Sequence, residues 1–459
     1  MTDNTPRSVK NAALLVATLV SFIVPFTGSA SNIAFPMIGS EFELDAIVLG
    51  WVATSFLISS AVFLIPFGRI ADIHGRKRVF VTGITVFTLS SAGCGFSTSA
   101  WMLIMFRVMQ GLGSSMIFGT GMAILTSVFE PGERGRALGI NLAAVYLGLS
   151  TGPFFGGLLT QHLGWRSIFL INVPLGAIVI IATLARLKGE WAEAKDESVD
   201  AAGSILYALA LIMIMYGLST LPAYSGFILM AVGAVVLAVF VRFEKGRSSP
   251  VLNMELFRKN PVFVFSNLAA LINYGATFAV GFLMSLYLQY LRGYTPQQAG
   301  LILAAQPAVM MVLSPFAGKL SDRIEPGIVA SIGMAFTTAG LVMLFFVNDS
   351  SGLLMILSSF VVLGFGFGFF SSPNTNAIMS SVQRKYFGVA SAMVGTMRNT
   401  GMMISMGVAM ILFSLIMGRV QITPEHHAAF LQCMKIAFGI FSFLCFGGIF
   451  ASLARGKMH

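Results

Sequence analysis

Charge is what this sequence has least of. Only 10% of its 459 residues are charged, against 56% hydrophobic. A soluble domain of that size needs a polar exterior that this composition cannot supply, so lipid is the expected solvent. Acid is scarcer than base, 18 Asp and Glu against 28 Lys and Arg, and every acidic residue reads as lying in a loop or at a helix end. Cysteine is nearly missing too. Cys94, Cys433 and Cys445 stand in apolar surroundings without ligand spacing, which argues against a zinc site and against a disulfide framework. No His-Glu-x-x-His run and no paired intramembrane carboxylate occurs, and His162, His426 and His427 read as loop residues, so an enzyme embedded in the membrane is not expected. Long polar segments are also lacking: the stretches 187 to 200 and 243 to 261 are too short for the cytoplasmic domain of a receptor or sensor.

What the chain has in abundance is apolar runs of the length that crosses a hydrocarbon core, about 20 residues each. Fourteen spans are expected, at 11 to 36, 47 to 67, 79 to 97, 101 to 128, 137 to 161, 167 to 185, 201 to 220, 225 to 242, 262 to 288, 298 to 318, 327 to 347, 352 to 379, 388 to 417 and 430 to 453. They must be helices, because the bilayer offers no water to a bare backbone. The first span has the outline of a signal peptide, with Gly28-Ser29-Ala30 as a cleavage site, but its apolar register runs on to Phe35 and an uncleaved helix is expected. A twelve-span count would drop the pair 201 to 220 and 225 to 242. Their length, low charge and the turn Leu221-Pro222-Ala223-Tyr224-Ser225-Gly226 favour a hairpin inserted between two halves.

An even count puts both termini on one side. With that assignment 22 basic residues collect on the side of the termini, and only Arg166, Arg292 and Arg419 fall opposite. The positive-inside rule then makes both termini cytoplasmic, in a multi-pass protein of the plasma membrane. The net charge of +10 resides in these short loop clusters, so nucleic acid is not an expected partner.

After the second span comes Gly68-Arg69-Ile70-Ala71-Asp72-Ile73-His74-Gly75-Arg76-Lys77-Arg78, and after the tenth a shorter echo, Gly318-Lys319-Leu320-Ser321-Asp322-Arg323. Glycine, acid and base keep the same spacing 250 residues apart, which reads as internal duplication into parallel halves. Span 4 carries Arg107-Val108-Met109-Gln110-Gly111, a cation about 10 Å below Trp101, where charge is costly unless it has a polar partner or a wet cavity. Span 5 carries Gly148, Gly152, Pro153, Gly156 and Gly157, residues that allow close helix approach and a bend. Span 13 adds Arg398-Asn399-Thr400-Gly401, and the sixth begins near Gly164-Trp165-Arg166.

In their order and spacing these runs resemble the motifs of the major facilitator superfamily, and with the extra hairpin they are similar to its fourteen-span drug:proton antiporters, a multidrug efflux family. The resemblance covers nearly the whole chain. It implies an all-α polytopic membrane protein: two six-helix bundles, 1–186 and 261–459, joined by a linker and two-helix insertion at 187–260. It implies a gating latch at Gly68, Asp72, Gly75, Arg76, Lys77, Arg78, Gly318, Asp322 and Arg323, and a hinge at the glycines and proline of span 5. The expected activity is export of hydrophobic or amphiphilic small molecules by alternating access, in exchange for protons, by a monomer without cofactor or metal. Translocation of a lipid or lipid-linked anionic solute, or coupling to another ion or to none, is the alternative. Two departures stand out: Ile73 replaces a usual arginine, and Thr27 occupies the position of the usual first-helix acid before Asn32-Ile33-Ala34-Phe35-Pro36. The expected pathway residues are therefore Arg107, Gln110, Arg398, Asn32, Asn273, Gln306 and Asn374. Buried arginines without a carboxylate favour anionic or neutral substrates.

Overall fold

The computed structural model describes residues 6–192, 200–244, 260–321, 323–382 and 387–456, and among them the chain is helical, with no strand. Its membrane-length helices are α1 Arg7–Glu41, α2 Ala46–His74, α3 Arg76–Gly95, α4 Ala100–Val128, α5 Pro131–Leu163, α6 Arg166–Arg186, α7 Ala201–Thr220, α8 Tyr224–Glu244, α9 Pro261–Leu286, α10 Pro296–Ser321, α11 Pro326–Phe345, α12 Leu353–Ser380, α13 Phe387–Leu412 and α14 His427–Leu453. All except α3 are long and apolar enough to span by length and composition. α3 is as long but holds Ser, Thr and Gly, which its packing against α4 accommodates: Gly83 faces Met116, and Gly113 meets the backbone at Phe87.

Each expected span has its helix, and α1, α2 and α5 run past their apolar windows because hydrogen bonding continues until something caps it. Asp45, Ser99, Asp200, Asn260 and Thr295 accept from backbone amides at the starts of α2, α4, α7, α9 and α10, with Gln298 completing a capping box at Thr295. Two of the spans are interrupted. α6 divides into Arg166–Leu170 and Asn172–Arg186, and α10 into Pro296–Leu303 and Ala305–Ser321. Pro174 and Pro307 explain both, since each lacks the N–H that the carbonyl four residues earlier requires. α9 and α13 end in π turns, Tyr287–Leu291 and Phe413–Met417.

The duplication read from the two loops reappears as a duplicated pattern of neighbours. α1 packs on α5 and α6, α2 on α4, and α3 on α4 and α6; in the same order α9 packs on α13 and α14, α10 on α12, and α11 on α12 and α14. These are two six-helix bundles. They meet along two related seams, α5 with α10 and α2 with α13, while α1 and α9 touch between the seams. α7 and α8 form the hairpin, and α7 lies against both α2 and α13. Below, the near end is the one with the termini and the Gly68–Arg78 loop, and the far end is the opposite one.

Candidate functional site

The seams hold the polar and backbone groups that face from one half to the other. At the far end they are closed. Pro36 has no amide to give the Asn32 carbonyl, and that orphaned acceptor is taken across the halves by the Ser285 hydroxyl at 2.6 Å. Gln289 Nε2 donates to the Ile33 carbonyl at 3.1 Å, and the Tyr290 hydroxyl to the Pro36 carbonyl at 2.9 Å. The Ala46 amide donates to the Val420 carbonyl, and Gln421 Nε2 to the Glu43 carbonyl at 3.0 Å. The far-end closure of α1 on α9 is thus built on carbonyls of α1 around a proline.

The span-5 residues lie at this closure. Gly148, Gly152 and Gly156 let α5 press onto α1 at Phe22, Phe26, Ser29 and Ala30, while Gly157 meets the backbone of Pro296 and Gln297. Gly300 of α10 meets the Pro153 carbonyl in return. The structure shows these residues as points of close backbone approach within one helix. Further along the seam Ser150 donates to the Pro307 carbonyl at 2.7 Å, and the Tyr146 and Ser371 hydroxyls are 3.1 Å apart.

At the near end, Gly75 ends α2 with φ 116°, a conformation that favours glycine, and a Cβ there would lie 2.5 Å from the Glu190 side chain. Asp72 Oδ1 accepts from Arg76 at 2.8 and 2.7 Å, and Arg76 also reaches the Ala123 carbonyl and the Ser127 hydroxyl of α4. Glu190, from the segment after α6, accepts the Lys77 amide at 2.8 Å and lies 3.8 Å from Arg78. Gly68 is open, with nothing within 4 Å of a Cβ placed there. In the second copy Gly318 faces Ser372, Arg323 is exposed, and Asp322 lies outside the described residues. The expected latch thus has its first-copy acid tied within its own half.

The two deep arginines differ. Arg107 is 3% exposed and bonded wholly within the first half: Nε donates to the Val52 carbonyl at 3.1 Å, Nη1 to Gln110 Oε1 at 2.7 Å, and Gln110 passes the chain to Ser91 at 2.8 Å. Phe56 lies 4.6 Å below the guanidinium. Arg398 is half-buried, and its ring partner Phe118 belongs to the other half, 5.5 Å away. Among the described residues its guanidinium donates no hydrogen bond. Asn273 is fully buried with no partner for either amide atom among the described residues. Asn374 donates to the Ser266 carbonyl at 3.1 Å, and its Oδ1 has no partner among the described residues. Gln306 and Asn32 are half-buried, Gln306 beside the break in α10 and Asn32 opposite Gly281. Thr27 bonds to Asn172 Oδ1 at 3.0 Å, a neutral pair at the position of the expected acid.

Sequence reasoning missed several contacts. Ser285, Gln289, Tyr290 and Gln421 had no motif, although Pro36 announces a freed carbonyl that some donor must meet. Glu41 holds Arg166 at 2.8 and 2.6 Å and Trp165 at 2.7 Å. Arg455, counted as a loop cation, is 2% exposed and tied to Ser452 and Ser266.

Two related seams between duplicated halves have a counterpart among known proteins. The model of a family described as Major Facilitator Superfamily matches residues 17–406. The chain belongs to this superfamily. Within it, the chain is 28% identical over 439 residues to the riboflavin transporter RibZ of Clostridioides difficile (strain 630), covering 95% of each. It is 31% identical over 401 residues to the multidrug resistance protein Stp of Mycobacterium tuberculosis (strain CDC 1551 / Oshkosh), covering 86% of this chain and 74% of that protein. The cephamycin export protein CmcT of Amycolatopsis lactamdurans is 31% identical over 407 residues, with 86% and 83% covered. A crystal structure of the peptide transporter POT with alafosfalin superposes with a TM-score of 0.70 at 13% identity over 95% of this chain and 93% of that one, a likeness of fold alone. This chain is therefore a superfamily transporter with bacterial transporter relatives.

Proposed function

We propose that this transporter exports amphiphilic small molecules, neutral or anionic, by alternating access, in exchange for protons, with the near end and both termini in the cytoplasm of a plasma-membrane protein. The observation that carries the substrate reading is Arg398: a half-buried cation between the halves, over the ring of Phe118 of the opposite half and, among the described residues, paired with no carboxylate. A cation in a low-dielectric seam repels lipophilic cations and attracts anionic groups, and the aromatic wall accepts a planar apolar body. The exporters among the relatives support the direction of transport. Cytoplasmic placement of the near end rests on its excess of basic loops.

In this reading the structure is the far-end-closed state. Release outward requires the bonds of Ser285, Gln289 and Tyr290 to part and the near end to close, with Asp72 and the second loop taking up the latch and α5 flexing at Pro153. Arg107 and Gln110 keep α2, α3 and α4 in register as a rigid unit, and Asn273, Gln306, Asn374 and Asn32 offer polar groups along the path.

The test is uptake into vesicles carrying the inverted protein, with an imposed pH gradient and paired acidic and neutral amphiphiles. Arg398→Ala is expected to lower transport of the acidic compound at least fivefold more than that of the neutral one, and Arg107→Ala to lower both alike through loss of folded protein. Equal losses in Arg398→Ala would sink the substrate reading, and indifference to the gradient would sink proton exchange while leaving export standing.

A further inference from the structure

Away from the seams, the near end carries a cleft of about 910 Å³ between the start of α1 and the end of α6. Its walls are Pro6, Ser8, Asn11 and Leu15 on one side and Ala185, Arg186, Lys188 and Trp191 on the other, closing on the buried Val9. Both cations are exposed, and among the described residues neither side chain has an ion-pair or hydrogen-bond partner. Among the described residues, the neighbouring acids are engaged elsewhere. Glu130 and Glu133 hold Lys10 at 3.3 and 2.7 Å, and Glu190 turns to the Lys77 amide and Arg78.

From Pro6 to Leu15 the α1 wall rises about 13 Å, the depth of a head group and the first acyl carbons. Below it an exposed apolar stripe continues down α6 through Leu184, Ile181 and Ile178, with Leu15 exposed on α1. Cations at the rim, an aromatic side chain among them and a greasy wall beneath form the profile of a lipid, read from phosphate to tail.

We propose that this cleft holds an anionic phospholipid, its phosphate between Arg186 and Lys188 and its chains along Leu15 and the α6 stripe. Trp191 gives the head-group region its aromatic edge. A bound lipid here would splint α1 to α6, and through Glu190 it would touch the segment that fixes the Gly75 turn. The inference takes over the near-end orientation proposed above, but the binding itself can be read from protein in micelles.

The experiment uses the full chain, delipidated in detergent and titrated with cardiolipin, phosphatidylglycerol or phosphatidylcholine under native mass spectrometry. Wild-type protein is expected to retain the two anionic lipids ahead of phosphatidylcholine. The double variant Arg186→Gln/Lys188→Gln should weaken anionic binding on the order of thirtyfold, two surface cations' worth, and leave phosphatidylcholine unchanged. Arg136→Gln/Arg242→Gln, which removes the same charge elsewhere at the near end, should leave it in place. Lys188→Glu alone serves as a second variant, with a loss of the same sign. Equal losses in both double variants, or none in either, would overturn the proposal. So would displacement of the lipid by millimolar inorganic phosphate, which would make this a free-anion site. A transport defect with lipid retention intact bears on the transport reading only.

Discussion

The two seams between the halves occupy equivalent places in the duplicated fold, yet different atoms pack them. α5 and α10 meet backbone to backbone: a Cβ at Gly157 would lie 2.6 Å from the Pro296 carbonyl oxygen, and one at Gly300 would run into the Pro153 carbonyl. α2 and α13 meet through a side chain, since a Cβ at Gly50 would lie 2.9 Å from Cγ of Met410. This second seam also has a third layer. α7 covers it with Tyr216 against Trp51 at 5.7 Å, Leu218 against Gly407, and Tyr207 and Leu211 in a cluster with Val62 and Ile65. In a bilayer, helices gain little by hiding apolar surface, so a backbone contact holds by close fit and fails when the fit is spoiled. A methionine contact adapts, because three rotatable bonds let it refill a changed space. The duplication therefore yields one stiff seam and one compliant seam, and the inserted hairpin lies on the compliant one.

The largest effect is expected from spoiling the stiff seam. Gly300→Val puts branched carbon where the Pro153 carbonyl stands, and overpacking of that kind typically costs about 1–3 kcal/mol when the backbone must yield. The far end should then spend most of its time open, turnover should fall at least tenfold, and the protein should still insert. Thr160→Cys, one turn beyond Gly157 and buried, reports the opening by its labelling with a membrane-impermeant maleimide. The native thiols at Cys94, Cys433 and Cys445 are buried and supply little background. Unchanged labelling and turnover would mean the stiff seam is not stiff.

A middle-sized effect belongs to the α1–α9 contact between the seams. Ser285→Ala removes a hydroxyl that satisfies the carbonyl Pro36 leaves free, at a cost of about 1 kcal/mol to the far-end-closed state, or roughly a fivefold shift in its population. Pro36→Ala returns an amide to that carbonyl within α1, so Ser285→Ala should cost measurably less in that background. A double-mutant cycle on Thr160→Cys labelling reads the coupling, expected at about 0.5–1 kcal/mol. Strict additivity would show that the proline and the serine do not act on one carbonyl.

How much of this was legible in the sequence follows from how local each signal is. Apolar length, loop charge and motif spacing are local, and they marked all fourteen helices and the duplicated loops. Pro174 and Pro307 were visible too, but whether a proline kinks or breaks a helix depends on whether a neighbour meets the freed carbonyl. The same holds for Arg107. Its depth was readable, whereas its partners, the Val52 carbonyl and Gln110, show that it faces its own bundle. Arg398 looked equivalent and instead faces Phe118 across the halves. Sequence distance cannot separate those cases, because the direction of a side chain out of a helix acquires meaning only when the neighbouring helix is in place. The far-end donors Gln289, Tyr290 and Gln421 are long-range contacts of that kind, 256, 254 and 378 residues from their acceptors.

The smallest effect should come from the compliant seam, and it decides whether the comparison holds. Gly50→Ala adds one methyl facing Met410, whose thioether can turn aside at a cost below about 1.5 kcal/mol. Turnover should change less than twofold, with Thr160→Cys labelling near wild type. Gly157→Ala adds the same methyl against the Pro296 carbonyl, which has no rotamer to change, and should cost several times more. Truncating the covering layer with Leu218→Ala, which opens space against Gly407 one turn from Met410, should sharpen the contrast and make Gly50→Ala still milder. If Gly50→Ala and Gly157→Ala prove equally harmful in the same assay, the seams are alike in stiffness, and the hairpin covers α2 and α13 for some reason other than their freedom to slide.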